Sequence, residues 1–320
     1  MIILHGSSHP ALASSIADRL AYSGTHVPIT TRRFADGELH VKIESNVHGE
    51  RCYVVQPTCA PGSDAWMELF IILDTLKRAS AAEVTAVLPY YGYARQERKS
   101  KARTPITAKL VANLLVAAGA SRVLTVDLHA AQIQGFFDIP CDNLFAAGVL
   151  ADAVLEDIVK QRGHAEDLVI VSPDVGGVAR ARSFAERLGC PMVIIDKRRQ
   201  EANKSEVMNV IGDVAGKHAI IVDDIIDTAG TLCNAAVALV ERGALTVSAA
   251  ATHGVFSGPA FERLSQSPIE CVWVTDSIPR SDVGESPWRM GMLRYVSLAP
   301  MLSKAIYSIH NHLSLSSLFE

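Results

Sequence analysis

The sequence predicts an α/β fold of mostly parallel sheets flanked by helices, and three observations carry that expectation. Short runs rich in Val and Ile alternate with amphipathic helical stretches along the chain. Those runs are continuously apolar, as in strands covered on both faces. A length of 320 residues with 49% hydrophobic residues supports a sizeable core in one large domain or two smaller ones.

Taken in order, the expected strands are Cys52–Gln56, Glu83–Leu88, Arg122–Asp127, Leu168–Ser172, Met192–Asp196, Ala219–Asp223 and Thr246–Thr252. Helices are expected between them, at Trp66–Ser80, Thr107–Ala118, Val178–Leu188 and Thr231–Glu241. A faint internal repeat relates the two halves: residues 119–129 read GASRVLTVDLH and residues 243–253 read GALTVSAAATH. Each begins Gly-Ala after a helix, runs through an apolar strand and ends in His. Gly-Ala is a common helix stop, but the matching helix–strand order favours duplication of one α/β unit. The boundary is expected near residue 148, dividing the chain into 1–148 and 149–298. A last helix near Ala299–His312, within the segment 299–320, is expected to pack back on the first domain.

Composition excludes several function classes. Thirty basic against 34 acidic residues give a net charge of −4, which argues against broad coating of nucleic acid. No apolar run approaches the roughly 18 residues of a membrane helix, so no membrane partner is expected. The start, MIILHGSSHPALASS, lacks the basic and apolar regions of a signal peptide, and a cytoplasmic location is expected. Six scattered cysteines with no Cys-x-x-Cys pair argue against a zinc ribbon or a disulfide scaffold. They read as buried reduced thiols.

The sharpest motif is VDDIIDTAGT at 222–231. The apolar strand HAIIV is expected to end in Asp223 and Asp224, followed by a short loop that opens a helix. That places acids at the C-terminal edge of a parallel sheet, where open α/β folds bind ligands. Small residues allow backbone N–H groups and the helix N-terminus to surround a phosphate. The acids do not favour a bare phosphate and should address sugar hydroxyls or a metal. A capped helix after a buried strand accounts for Thr231 or Asp227, but not for three acids together. The segment resembles the 5-phosphoribosyl 1-pyrophosphate (PRPP) loop of the type I phosphoribosyltransferase fold. Two other patterns carry no nucleotide site. Gly212 to His218 looks like a Walker A loop, but it is one residue short and precedes a strand. No Gly-x-Gly-x-x-Gly occurs in the chain.

Two basic clusters follow strands. Arg95, Arg98, Lys99, Lys101 and Arg103 are opposed only by Glu97, and IDKRR at 195–199 places Lys197 and Arg199 in alternation with Arg198. Each alone reads as a solvated face; beside an acidic sugar-phosphate loop they suggest a polyphosphate substrate. Asp127 and His129, two apart at a strand end, are expected to share one side, and Asp174 ends another strand before a Gly-Gly turn. Such a diffuse set suits Mg²⁺ that keeps several waters and binds through substrate phosphates; zinc wants a tighter His/Cys set.

Jointly, FADGE (34–38), YYGYARQ (90–96), ITAKLVANLL (106–115), DLHAAQIQGFFDIP (127–140), SPDVGG (172–177), IDKRR (195–199) and VDDIIDTAGT (222–231) resemble the ribose-phosphate pyrophosphokinase (PRPP synthetase) family, in its phosphate-regulated bacterial-type class. The motifs occur in the family's order over nearly the whole chain. The resemblance implies two tandem phosphoribosyltransferase-like domains, a homohexamer built from dimers, Mg²⁺ as cofactor, and ATP and ribose 5-phosphate as substrates. It implies transfer of the β,γ-pyrophosphoryl group of ATP to O1 of ribose 5-phosphate, giving PRPP and AMP. By similarity, ATP contacts fall on Phe34, Asp36, Gly37, Glu38, Arg95 and Gln96, with FADGE reaching a neighbouring subunit's nucleotide. Magnesium falls to His129 and Asp174. Ribose 5-phosphate falls to Arg199, Asp223, Asp224, Asp227, Thr228, Ala229, Gly230 and Thr231, and the catalytic cations are Lys197 and Arg199.

The departures from the family pattern concern its regulatory site. His48 stands where many relatives have Arg, and Ala102 where many have Ser, while Ser314 and Ser316 are retained. Catalysis is expected to be intact and control by phosphate and ADP weakened. Two other readings are a PRPP-consuming phosphoribosyltransferase, which leaves FADGE and YARQ without a task, and a non-catalytic PRPP synthetase-associated protein. Chains of the latter kind carry an insertion near the catalytic loop, and QEANKSEVMNVIGDV shows none.

Overall fold

The structure is a computed structural model that describes residues 1–162, 167–198, 207–279 and 291–318. The chain divides into two compact units. One comprises Met1–Phe145, Ser277–Pro279 and the chain from Ser297 onward; the other comprises Ala146–Asp276 and the segment ending at Val296.

The first unit begins with β1 (Ile2–His5), α1 (Pro10–Arg19), β2 (Thr25–His26) and a hairpin of β3 (Ile29–Arg33) and β4 (Leu39–Ile43). It continues through β5 (Arg51–Val55), α2 (Gly62–Arg78), β6 (Glu83–Leu88), α3 (Thr107–Ala118), β7 (Arg122–Val126) and β8 (Cys141–Leu144). The sheet order is β2-β1-β5-β6-β7-β8, with every pairing parallel, while β3 and β4 pair only with each other. Its core packs Leu4, Val54, Leu69, Leu73, Ala86, Leu88, Val111 and Leu115. On α3 the buried positions are Ala108, Val111, Ala112 and Leu115, the spacing of a helix with one apolar face.

In the second unit, α4 (Ala147–Arg162), β9 (Leu168–Ser172), α5 (Val178–Leu188), β10 (Met192–Arg198) and β11 (Val207–Ile211) precede β12 (His218–Ile226). Then come α6 (Gly230–Glu241), β13 (Thr246–Gly254), α7 (Ala260–Ser265), β14 (Ile269–Thr275) and β15 (Leu293–Val296). The sheet order is β11-β10-β9-β12-β13-β14-β15, parallel except for β11 against β10. A final helix, α8 (Ala299–His310), belongs to the first unit. There Arg51 Nη1 donates to the His310 carbonyl at 3.0 Å.

The internal repeat is present in three dimensions. The buried positions of α6 are Leu232, Ala235, Ala236 and Leu239, in the same pattern as on α3. At the same offset in the chain, Gly243 follows α6 as Gly119 follows α3, and β13 follows as β7 does. Both repeat strands lie between the strand that precedes their helix and the strand that follows them in the chain.

Some expected bounds shift. Helix α2 begins a turn before Trp66, because the Asp64 and Ala65 N–H groups both donate to the Pro61 carbonyl, and Ser80 at φ 61° lies beyond its end. The Walker-like stretch is a turn between β11 and β12, with the Ala215 N–H donating to Asp213 at 3.0 Å. Strand β12 runs past Asp223 to Ile226, since Ile225 and Ile226 still pair with His253 and Gly254 of β13.

Candidate active site

The register of the second sheet creates an open edge. Strand β12 pairs with β9 only as far as Ile221, where it faces Val171, but with β13 as far as Ile226. Beyond Ile221, therefore, one side of β12 has lost its ladder to β9. Asp223 and Asp224 sit in that stretch, inside the strand rather than after it, and their side chains are 26% and 8% exposed. The Asp224 N–H donates to Asp223 Oδ1 at 2.9 Å. Burial, then hydrogen bonding and repulsion with Asp224, raise the Asp223 carboxyl from 3.8 to about 7, while Arg180 pulls it down.

The phosphate-type loop follows directly. Ala229 adopts the left-handed conformation at φ 58°, turning the chain into α6, which begins at Gly230 with no side-chain cap and no acid in its first turn. The first N–H groups of such a helix have no intrahelical acceptor and attract anions. Two side chains hold the loop: Ser257 Oγ donates to Asp227, and Arg263 Nη1 donates to the Thr228 carbonyl at 3.0 Å. Thr228 and Thr231 are exposed and Gly230 is half-buried. A Cβ on Gly230 would lie 3.1 Å from Arg263 Nη1.

A second loop of this unit joins β9 to α5. Asp174 Oδ1 accepts from the Gly177 N–H at 2.9 Å, and Ser172 Oγ donates to the Asp174 carbonyl at 2.7 Å. From the first turn of α5, Arg180 Nη1 stands 3.7 Å from Asp223 Oδ1 and 3.6 Å from Asp224 Oδ1. Sequence reasoning passed over Arg180, Ser257 and Arg263. Arg180 had a signal, a cation in the first turn of a helix, where the dipole disfavours it.

In the first unit, FADGE forms the tip of the β3–β4 hairpin. The Phe34 N–H donates to the Glu38 carbonyl and the Gly37 N–H to the Phe34 carbonyl, both at 2.9 Å. Asp36 Oδ1 accepts from the Glu38 N–H at 3.1 Å. Phe34 is 47% exposed, with its ring edge-on to His40 at 5.5 Å and the Arg32 guanidinium 5.5 Å from its centre. Arg95 and Gln96 are exposed on a short 3-10 turn after β6, and Thr107 Oγ1 donates to Gln96 at 2.5 Å. Thr58 anchors that turn, donating to the Tyr90 carbonyl at 3.0 Å and accepting from the Gly92 N–H at 2.7 Å. Only glycine fits at position 92, because a Cβ would lie 2.3 Å from the Thr58 carbonyl oxygen.

One expectation is corrected. The strand expected to reach Asp127 ends at Val126, and Asp127 turns left-handed at φ 43°, so strand alternation does not relate Asp127 to His129. The period-2 argument stops there, leaving Asp127 buried and His129 exposed. Lys197 lies on β10 opposite Met208, with only its backbone described, and Arg199 lies outside the described residues. His48 and Ala102 are exposed on separate loops, whereas Ser314 and Ser316 hydrogen-bond to each other at 2.8 Å. The six thiols are free; burial pushes Cys52, Cys59 and Cys271 up to about 11 and Cys141 to about 12, so these four are poor nucleophiles. No helix of the described residues is long and apolar enough to cross a membrane.

Two mostly parallel sheets built on a common plan, one with two acids and an uncapped helix N-terminus at its C-terminal edge, define a phosphoribosyltransferase-like protein. The comparisons narrow the class. Residues 1–119 match the N-terminal domain of ribose phosphate pyrophosphokinase, and residues 200–320 match the phosphoribosyl synthetase-associated domain. A ribose-phosphate pyrophosphokinase of Caldanaerobacter subterraneus is 53% identical over 99% of this chain and 97% of its own. One from Granulibacter bethesdensis is 52% identical over 100% of both. The crystal structure of phosphoribosylpyrophosphate synthetase from Mycobacterium smegmatis matches with a TM-score of 0.87 at 41% identity, over 97% of this chain and 99% of that one. The chain belongs to the ribose-phosphate pyrophosphokinase family.

Proposed function

We propose that the protein transfers the β,γ-pyrophosphoryl group of ATP to O1 of ribose 5-phosphate, releasing AMP and PRPP for nucleotide biosynthesis. The observation that carries this reading is the second unit's open sheet edge. It presents two carboxylates beside an uncapped helix N-terminus, in a chain of this family. Amides of the α6 turn, with Thr228 and Thr231, bind the 5-phosphate, while Asp223 and Asp224 accept from the ribose hydroxyls. In this reading O1 is the attacking group. O1 attacks Pβ, the bond from Pβ to the α-bridging oxygen breaks, AMP leaves with the electron pair, and the O1 proton passes to solvent. No covalent enzyme intermediate is needed.

The first unit binds ATP through Arg95 and Gln96 and through Phe34, Asp36, Gly37 and Glu38 of a neighbouring subunit. The exposed Phe34 and the separate hairpin support that sharing. Ile106, Leu110 and Leu114 form an exposed apolar stripe at helical spacing, which supports assembly, here into a homohexamer built from dimers. Lys197 and Arg199 neutralise the moving pyrophosphoryl group, and Arg199 also contacts ribose 5-phosphate. His48, Ala102, Ser314 and Ser316 belong to a regulatory anion site.

The donor types fit magnesium. One imidazole and one carboxylate, His129 and Asp174, would hold the ion together with waters and phosphate oxygens. When bound, Mg²⁺ supplies charge neutralisation on the polyphosphate. A cytoplasmic site of action follows from the substrates. The test is product analysis with ATP, Mg²⁺ and ribose 5-phosphate: AMP and PRPP support the reading, whereas ADP with a ribose bisphosphate refutes it. Size-exclusion chromatography with light scattering tests the hexamer.

A further inference from the structure

The acid pair of β12 faces a cation that the reading above leaves without a task. Arg180 is the third residue of α5, where a positive charge meets the positive end of the helix dipole and is disfavoured. No acid in that first turn offsets it, and Gly177 gives no side-chain cap. Its side chain is nonetheless 18% exposed and turned toward the sheet, with a single atom, Nη1, 3.7 Å from Asp223 Oδ1 and 3.6 Å from Asp224 Oδ1. Its Nε is buried with no hydrogen-bond partner among the described residues. A guanidinium that served only to fix the fold would close a bidentate fork on one carboxylate at roughly 2.7–2.9 Å. Arg180 stands off instead, between two carboxylates.

Neighbouring residues of a strand point to opposite faces, so Asp223 and Asp224 need a reason to address one ligand. Arg180 supplies it. At 3.6–3.7 Å it offsets their repulsion without closing a short hydrogen bond on either carboxylate. It is also carried on the helix whose leading turn holds Asp174 against the Gly177 N–H. We propose that Arg180 is a positioning residue for ribose 5-phosphate: straddling the acid pair, it holds both carboxylates where they accept from the vicinal hydroxyls of the sugar. This rests on the assignment of Asp223 and Asp224 to the ribose. The direction of the Asp223 shift agrees, since Arg180 is the group that favours its charged form.

The experiment compares Arg180→Gln, Arg180→Lys and Asp223→Asn with the unaltered enzyme, in steady-state kinetics against each substrate. In each, 2-deoxyribose 5-phosphate serves as a competing ligand that lacks one hydroxyl. Arg180→Gln is expected to raise the KM for ribose 5-phosphate about tenfold, as loss of a charged hydrogen-bonding partner does. The KM for ATP is expected to stay within about twofold, since the change touches only one substrate's site. The preference for the ribose ligand over the deoxyribose ligand should shrink, and Arg180→Lys should recover most of the loss. Parallel rises in both KM values, or a lysine variant as impaired as the glutamine one, mean that Arg180 only supports the fold, and the proposal falls. If Asp223→Asn raises the ribose 5-phosphate KM and Arg180→Gln does not, the proposal falls while the ribose assignment stands. If Asp223→Asn leaves that KM unchanged, the ribose assignment fails and takes the proposal with it.

Discussion

Replacing Asp223 by Asn is expected to stabilise the substrate-free protein at pH 8 while weakening its hold on ribose 5-phosphate. The native carboxyl is raised from 3.8 to about 7, first by burial and then by Asp224, so between those pH values the folded state binds a proton that the unfolded chain has released. Stability contributed by that proton is fully present below the unfolded pKa and is lost as pH rises through 7. Taken at face value, the shift corresponds to a ceiling of about 4 kcal/mol, at 1.36 kcal/mol per pH unit. A quarter of the side chain remains in solvent and Arg180 stands nearby. Roughly half of that ceiling, ~2 kcal/mol, is the expected gain. Asn keeps an oxygen to accept from the Asp224 N–H, so the swap removes the charge and spares that bond. Thermal unfolding without substrate, at pH 5 to 8, should show a Tm advantage for the variant of roughly 4–8 °C at pH 8, shrinking toward pH 5. A variant less stable than its parent at pH 8, or an advantage independent of pH, would refute the view that Asp223 is held at a cost for function.

Three further outcomes follow from the site. Lys197→Ala and Arg199→Ala should each lower kcat by about 10²–10³ with little change in KM, as loss of a transition-state donor does; a rise in KM alone would reassign that residue to ground-state binding. Gly230→Val should raise the ribose 5-phosphate KM far more than the ATP KM, because its added carbons must enter space that begins 3.1 Å from Arg263 Nη1; equal losses point to misfolding. ADP inhibition that saturating ATP cannot relieve should be weak, since His48 lacks the bidentate fork of the arginine that many relatives carry there; strong inhibition of that kind, unchanged in His48→Ala, would overturn this.

The layered architecture was legible because continuous apolar strands and one-faced helices leave a periodic trace. Thr107–Ala118 and Val178–Leu188 match their helices end to end. The β3–β4 hairpin was not, because Ile29–Arg33 has no continuous apolar run and pairs with no strand but β4. The motif residues of the candidate site were visible as residue types beside turns. Their depth was not visible. Where β12 loses β9 and keeps β13 depends on register between strands nearly fifty residues apart, which no local pattern carries. Arg180 escaped for the same reason, since its partners lie across that register.

Duplication sharpens the point. His129 and His253 occupy equivalent places in the repeat, each ten residues after its glycine. Yet His253 is 2% exposed within β13, paired with Ile225, whereas His129 is exposed beyond the end of β7. The left-handed turn at Asp127 makes the difference: it ends one strand early and releases its histidine, while the other strand runs on beside the acid pair. On one α/β template, one strand thus stops short and leaves its histidine exposed, while the other runs on beside two carboxylates.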